Sequence, residues 1–157
     1  MEQVSAGQGT PVALGLEDFA VGQIYESGTL TVDAADIKGF AARFDPQPFH
    51  LDEIAARGSF FGGLAASGWH TAALTMRLLV TGGLPIKGGM IGAGVELAWS
   101  RPVRPGDTLR VVSEVIEVRP SRSKPDRGFV TVQSRTLNQK DEAVQEMTSR
   151  VMVFRRG

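Results

Sequence analysis

The sequence predicts an α+β domain in which an antiparallel sheet packs around one buried helix. Residues 66–80 place Trp69, Ala72, Met76 and Leu79 at helical spacing, and most other positions are small or apolar. Such a pattern is typical of a helix buried on all sides. Four runs rich in Val and Ile follow residue 88, separated by short turn clusters. Short connections indicate antiparallel strands, because parallel strands need long crossovers, so we expect a four-stranded meander that wraps the helix.

The composition narrows the class of protein. The chain has 157 residues and no cysteine, so neither a disulfide framework nor thiolate chemistry is available. Lys plus Arg and Asp plus Glu number 17 each, and a formal net charge of zero is a poor footprint for nucleic acid. No run approaches the roughly 18 apolar residues of a membrane helix. We expect a cytoplasmic protein with neither a membrane nor a nucleic acid as partner.

The domain organisation is simple. Residues 1–16 are rich in small and polar residues, so we expect a poorly ordered tail. The same residues lack the basic region of a signal peptide. One domain is expected over residues 17–157, without an internal repeat or boundary. Its first short strand is expected at residues 25–33.

Two helices are expected before the central one. Asp33 suits the N-cap of a helix over Ala34–Phe44, whose apolar residues recur at helical spacing. This helix should end at Asp45, because a residue before proline is pushed out of the α region. A short helix is expected from Leu51 to Arg57, closed by Gly58.

The stretch DPQPFH, residues 45–50, combines an acid, two prolines and one of the two histidines of the chain. The prolines fix two φ angles, so we expect a rigid, non-helical loop that holds the Asp45 carboxylate and the His50 imidazole in one relative position. An acid and a base that reach one water form a general acid–base pair. From these residues alone the alternative stays open that the prolines only end a helix and that His50 is an ordinary surface or hydrogen-bonding histidine.

Several other functional motifs are missing. Gly92 and Gly94 are followed by a strand rather than a helix, which argues against a dinucleotide site. The sequence contains neither a Walker motif nor a G-x-S-x-G elbow. With two histidines and no cysteine, a structural zinc site is not expected.

Residues 45–50 resemble the signature of the MaoC-like dehydratases, the (R)-specific enoyl-CoA hydratase family, which is D-x-N-P-[apolar]-H. The similarity extends over residues 17–155 and includes the small-residue helix start at 66–69 and the turn Pro102–Asp107. The resemblance implies the hot-dog fold, an antiparallel sheet wrapped around a long central helix. It also implies a homodimer or a higher homo-oligomer, since hot-dog proteins pair two-fold.

The resemblance also implies a reaction. In this family the acid and the histidine hold one water, which adds to the double bond of a trans-2-enoyl thioester and gives an (R)-3-hydroxyacyl thioester. Asp45 and His50 would share that work in a reversible reaction, with no metal and no cofactor other than the coenzyme A of the substrate. Which residue is acid and which is base stays open, as do the acyl chain length, the carrier and the physiological direction.

Three further residues are implied at the substrate. The oxyanion glycine of the family lies 23 residues after the acid, which is Gly68 here, and its N–H at the helix start would bind the thioester oxygen. Gln47 stands where the family has Asn, with the same amide on a longer stem. Ser67 stands where the family commonly has His, and it could cap the helix instead. His70 is expected to be a packed helix histidine.

The remaining expectations concern the rest of the ligand. Basic residues near turns are candidates for the coenzyme A phosphates, although an ordinary solvated loop explains them equally well: Arg104, Arg122, Lys124 and Arg127. Trp69, Trp99 and Met76 are expected in the core or along the acyl pocket.

Two other functions are compatible with the fold, a hot-dog thioesterase and a catalytically silent acyl-CoA-binding subunit. The absence of Asp and Glu from residues 66–80 argues against the thioesterase. The presence of both Asp45 and His50 argues against the silent subunit.

Overall fold

The computed structural model describes residues 2–3 and 13–157 of the chain. The strands are β1 (Glu2–Gln3), β2 (Ile24–Glu26), β3 (Thr29–Thr31), β4 (Ile91–Trp99), β5 (Thr108–Pro120), β6 (Arg127–Leu137) and β7 (Ala143–Phe154). The α-helices are α1 (Ala34–Phe44), α2 (Pro48–Leu51), α3 (Glu53–Arg57) and α4 (Gly68–Leu78), with a 3₁₀ turn at Leu16–Asp18 and a π-helical turn at Leu79–Gly83. No helix in this described part is long and apolar enough to cross a membrane.

The sheet is antiparallel and curves around α4. Its order is β1-β3-β5-β6-β7-β4, and β2 also pairs with β5. Alternate side chains of the long strands point inward and are almost fully buried, among them Val111, Val115, Val130, Val132 and Val151. The helix touches this face directly, because the hydroxyls of Thr75 on α4 and Thr136 on β6 lie 2.6 Å apart. The predicted hot-dog fold is therefore confirmed.

The predicted meander is wrong at one connection. β4 pairs with β7 rather than with β5, the next strand along the chain. The segment between them contains Pro102 and Pro105, which cannot donate to a sheet ladder, and it crosses the fold instead of turning back. Val103 in this segment is buried and its carbonyl accepts a hydrogen bond from Ala66 N–H, so the crossing is anchored beside the start of α4.

The central helix is shorter and more exposed than predicted. It begins at Gly68 and ends at Leu78, and the prediction that it is buried on all sides is wrong. Trp69 is 60% exposed, and Met76 and Val80 are also exposed. The sheet covers only one face of a helix, so the opposite apolar face lies open in the single chain.

The helices before α4 mostly follow their sequence signals. Asp33 caps α1 by accepting a hydrogen bond from Asp36 N–H, as predicted. The short helix predicted at 51–57 is α3, which ends at Arg57 with Gly58 as its C-cap, as predicted, but begins two residues later. The Asp52 carboxylate accepts from Ile54 N–H and Ala55 N–H and so starts it, while Leu51 ends the separate one-turn helix α2. The strand predicted at 25–33 is likewise two strands, β2 and β3.

The first packed residues come earlier than predicted. Leu14 N–H donates to Pro85 O, and Lys87 N–H donates to Leu14 O. Leu16 is buried in the core. The chain is therefore packed from Leu14 onward, whereas most of the tail predicted at residues 1–16 lies outside the described residues.

Candidate active site

Asp45 lies at the end of α1. Its backbone N–H donates to Ala41 O as the helix C-cap, while its φ of −154° takes the chain out of the helix before Pro46. This is the end that the Asp45-Pro46 pair predicts. The carboxylate is thereby held at a helix terminus, with its side chain 19% exposed.

His50 lies in a helix, and the prediction of a non-helical loop is wrong. Pro48 is the first residue of α2, where its missing N–H costs no hydrogen bond and its fixed φ suits the helix. The one turn of α2 places the His50 ring in the interior, 4% exposed. His50 Nε2 lies 3.4 Å from Asp45 Oδ2.

The tautomer of His50 follows from its other nitrogen. Nδ1 lies 2.6 Å from the carbonyl oxygen of Ala65. A carbonyl can only accept, so Nδ1 carries a proton and the neutral ring presents Nε2 as an acceptor. The lone pair of Nε2 therefore faces Asp45 and the space beside it.

Ser67 is the N-cap that was considered for it, and it also contacts the predicted catalytic acid. Its hydroxyl accepts from Trp69 N–H at 3.2 Å, as an N-cap does, and donates to Asp45 Oδ2 at 2.7 Å. Ser67 is completely buried. Gln47 donates its side-chain amide to the other carboxylate oxygen, Asp45 Oδ1. The two residues at which the chain departs from the family signature thus both bind the same carboxylate.

These contacts set the charge of Asp45. Partial burial acts to raise the pKa of the carboxyl. The hydrogen bonds from Ser67 and Gln47, together with the charge of a protonated His50, outweigh it, and the pKa lies below its ordinary value of 3.8. Asp45 is therefore an anion at neutral pH.

Gly68 is the first residue of α4, where backbone N–H groups have no partner within the helix. None of the described residues accepts a hydrogen bond from its N–H. Gly68 and His50 line the same cavity of about 340 Å³, together with Phe61, Thr71 and Trp99. A Cβ at position 68 would lie 2.6 Å from the Trp99 ring, so the close packing of the indole requires glycine.

The candidates for the coenzyme A phosphates do not converge. Arg104 precedes β5, whereas Arg122, Lys124 and Arg127 lie at the opposite end of that strand. The thirteen residues of β5 lie between the two groups, a path of about 40 Å along the chain at about 3.3 Å per residue. The two groups thus lie at opposite ends of one strand, and within one chain they do not form a single phosphate site.

The four residues make different contacts within the chain. The Arg104 guanidinium donates to the carbonyls of Phe61, Gly63 and Leu64 and so ties down the loop beside the cavity. Arg127 pairs with Asp126 and lies over the Phe154 ring. Arg122 and Lys124 are exposed.

His70 is a packed histidine, as predicted. Its ring stacks on Phe40 of α1, with the centroids 4.7 Å apart and the planes within 8°. Burial lowers its pKa below the ordinary value of 6.5, partly offset by the negative charge of Asp36. Its Nδ1 is buried and has no hydrogen-bond partner among the described residues.

Sequence reasoning missed the parts of the site that come from the backbone. The Ala65 carbonyl that orients His50 has no side-chain signature. The loop aromatic Phe61 was missed too, although the run Phe60-Phe61 between small residues could have indicated it. No group of three or more His, Cys, Asp or Glu side chains within the described ranges could hold a metal ion.

The geometry has clear counterparts among known proteins. The family model described as "MaoC like domain" matches residues 18–138. A crystal structure of the MaoC-like dehydratase from Rhodospirillum rubrum is 63% identical, with a TM-score of 0.91 over 92% of this chain and 99% of that chain.

Two sequence relatives agree with this match. The uncharacterised protein YdeM of Bacillus subtilis is 36% identical over 89% of this chain and 99% of its own length. The 3-hydroxybutyryl-CoA dehydratase of Methylorubrum extorquens is 34% identical over 69% of this chain and 68% of its own length. The chain therefore belongs to the MaoC-like domain family, of which it has the hot-dog fold.

Proposed function

We propose that the protein is a hydratase and dehydratase of 2-enoyl-CoA thioesters. The observation that carries the proposal is the pair His50 Nε2 and Asp45 Oδ2, 3.4 Å apart beside a cavity that also holds the free N–H of Gly68. Two acceptors at this distance can both contact one water. Membership of the family and the name of the Methylorubrum relative support a reaction of this class.

The hydrogen bonds suggest which group takes the proton. Because Nδ1 donates to Ala65 O, Nε2 is free to accept a proton from the water as its oxygen attacks the β-carbon of the enoyl group. The imidazolium that forms is stabilised by the Asp45 anion. Nε2 then gives the proton to the α-carbon on the same face, so that one water is added as OH and H. Dehydration is the reverse.

The thioester oxygen becomes negative during the attack, and Gly68 supplies the compensating donor. Its N–H belongs to the positive end of α4 and needs no reorganisation to accept an oxyanion. The product expected from the family resemblance is the (R)-3-hydroxyacyl-CoA. The proposed chemistry uses only these groups and the coenzyme A of the substrate.

We also propose that the working form is a homodimer. The open face of α4 and the neighbouring edge strand β4 together expose large apolar side chains: Trp69, Met76, Val80, Ile91, Val95 and Trp99. A continuous exposed apolar surface beside an unpaired strand edge is typical of a subunit interface. A monomer mass by light scattering at micromolar concentration would overturn this assembly.

The test of the reaction uses crotonyl-CoA. Loss of the enoyl absorbance without release of free thiol is expected, with the (R)-3-hydroxy product identified by chiral chromatography. Asp45→Asn and His50→Ala should each lower kcat/KM by about 10²–10⁴-fold, the usual range for a general acid or base. Because both groups act on one water, the double variant should be little worse than either single variant.

Two results would overturn the proposal. Thiol release with the double bond intact would identify a thioesterase. Binding of acyl-CoA without any reaction, unchanged in both variants, would identify a binding subunit.

A further inference from the structure

Two cavities each include residues of α4 and β4 in their linings, and they have no lining residue in common. The first is the catalytic cavity of about 340 Å³, which His50, Gly68, Thr71 and Trp99 help to line. The second measures about 470 Å³ and is lined almost entirely by apolar side chains and glycines, among them Ala72, Met76, Val95, Leu97 and Met147. On both α4 and β4 the linings are adjacent, since Ala72 follows Thr71 and Leu97 precedes Trp99 by two residues.

Trp99 lines the catalytic cavity, and Leu97, two residues before it on β4, lines the second one. Trp99 is the last residue of β4, and its indole reaches across to Gly68 in the first turn of α4. The contact leaves no room for even a Cβ at position 68. The other tryptophan, Trp69, meets this indole edge-on at a centroid distance of 5.2 Å and lines neither cavity.

A buried polar network fixes the orientation of the indole. Trp99 Nε1–H donates to Gln145 Oε1 at 3.0 Å, and Gln145 Nε2–H donates to Thr75 Oγ1 at 3.1 Å. Thr75 Oγ1 in turn lies 2.6 Å from Thr136 Oγ1. Gln145, Thr75 and Thr136 are completely buried. Rotating the indole away would leave buried polar groups unpaired, which is costly in a protein interior.

We propose that Trp99, held by Gln145, is a wall that restricts the enzyme to short 2-enoyl groups. The inference rests on the proposed function for the identity of the ligand. In the proposed reaction the acyl carbonyl reaches Gly68 N–H and the β-carbon lies near His50. The Trp99 indole then lies beside the acyl group. The second, apolar cavity lies at the proposed subunit interface, where Met76 and Val95 are exposed, and it is the space that a longer chain would need. In this proposal the Trp99 indole lies between that cavity and the reacting atoms.

The test compares a short and a long chain. The parent protein should hydrate crotonyl-CoA with a kcat/KM at least about 10-fold above that for trans-2-decenoyl-CoA, the low end of discrimination for an ill-fitting methylene. Trp99→Ala should reduce this ratio by about 10-fold or more, because it joins the two cavities. Gln145→Leu keeps the indole but removes its hydrogen bond, and it should shift the ratio in the same direction.

Phe154→Ala is the matched control. It removes an aromatic ring that contacts Arg127 at the far end of β7 and lines neither cavity, so the ratio should stay at the parent value. The proposal would be overturned if the parent protein prefers the ten-carbon substrate. It would also be overturned if Trp99→Ala and Gln145→Leu both keep the parent ratio.

Binding of saturated thioesters separates this inference from the proposed reaction. Calorimetry with butyryl-CoA and decanoyl-CoA measures the same preference without any turnover. If no enoyl-CoA is hydrated but butyryl-CoA binds more tightly and Trp99→Ala removes that preference, the wall stands and only the reaction is wrong. If the parent binds butyryl-CoA and decanoyl-CoA with equal affinity, Trp99 does not restrict chain length, whether or not the protein hydrates enoyl-CoA.

Discussion

The hydroxyl of Ser67 joins the carboxylate of Asp45 to the first turn of α4. It lies 2.7 Å from Asp45 Oδ2, to which it donates, and 3.2 Å from Trp69 N, from which it accepts. One buried group therefore stabilises both the charge of Asp45 and the start of the helix that presents Gly68. Loss of this hydroxyl has to affect fold stability and the ionisation of the site together.

Ser67→Ala should lower the free energy of unfolding by about 0.5–2 kcal/mol, the usual cost of removing a helix N-cap. It should also move the acid limb of the pH profile of kcat/KM to higher pH. The Ser67 hydrogen bond is one of the contacts that hold the pKa of Asp45 below 3.8, so its loss lets that pKa rise.

Ser121→Ala is a suitable control for Ser67→Ala. The Ser121 hydroxyl also accepts a backbone N–H, that of Lys124, but in the turn between β5 and β6. Denaturant titration and the pH dependence of crotonyl-CoA hydration measure both effects. An unchanged acid limb in Ser67→Ala would contradict the coupling.

Gly68→Ala should lower kcat/KM by about 10²-fold or more, because the clash would move the N–H of residue 68 away from the thioester oxygen, at a cost on the scale of losing one oxyanion donor. The added Cβ would lie 2.6 Å from the Trp99 ring, so either the indole or the start of α4 has to move. The near-ultraviolet circular dichroism should change while the far-ultraviolet spectrum stays the same. The same clash should lower the melting temperature of Gly68→Ala. Adding Trp99→Leu to that variant should restore part of the lost thermal stability. Normal hydration by Gly68→Ala would place the oxyanion site elsewhere.

Arg104→Ala should lower the melting temperature and kcat rather than raise KM alone. Its guanidinium holds three carbonyls of the loop that carries Phe61, and a hydrogen bond from a charged group contributes about 1.5–3 kcal/mol. Arg122→Ala removes an exposed charge far from this loop and should leave the melting temperature, kcat and KM unchanged. A higher KM for Arg104→Ala at unchanged melting temperature would instead indicate that Arg104 binds the phosphates of coenzyme A.

His70→Phe should keep activity and make the protein less sensitive to acid. The folded protein holds the pKa of His70 below its ordinary value of 6.5, so the unfolded chain binds the proton more readily. The parent therefore loses stability as the pH falls below 6.5 towards the lower folded-state value. Phe keeps the stacking on Phe40 and cannot be protonated. Denaturant unfolding at pH 7.5 and 5.5 measures the difference, and an equal loss in both proteins would exclude His70 as its source.

The sequence predicts those elements that local signals determine. The helix from Ala34 to Phe44 begins at a capping aspartate and ends at a proline, and both signals act within a few residues. The antiparallel strands follow from their composition and short turns. The position of β4 beside β7 could not be predicted in this way, because strand order depends on packing between distant segments.

The same distinction between local signals and contacts from distant segments applies to the candidate site. Asp45 and His50 stand in a recognisable spacing, and the structure brings their side chains together. The partners that determine their state, Ser67 and the carbonyl of Ala65, lie 22 and 15 residues further along the chain. Arg104 shows the opposite case, since the sequence alone does not distinguish an exposed basic turn residue from a half-buried arginine that binds the carbonyls of a neighbouring loop.

Two of the groups that shape the site, the Ala65 carbonyl and the Gly68 N–H, belong to the main chain. Substitution at position 65 cannot delete the carbonyl, so during divergence this position can accept any side chain that fits its buried surroundings. Insertion or deletion is a different matter. One residue gained or lost between 61 and 65 would shift the register of both groups relative to His50, and one between 65 and 68 would shift that of Gly68. Selection should therefore act on the length of this segment more strictly than on its composition.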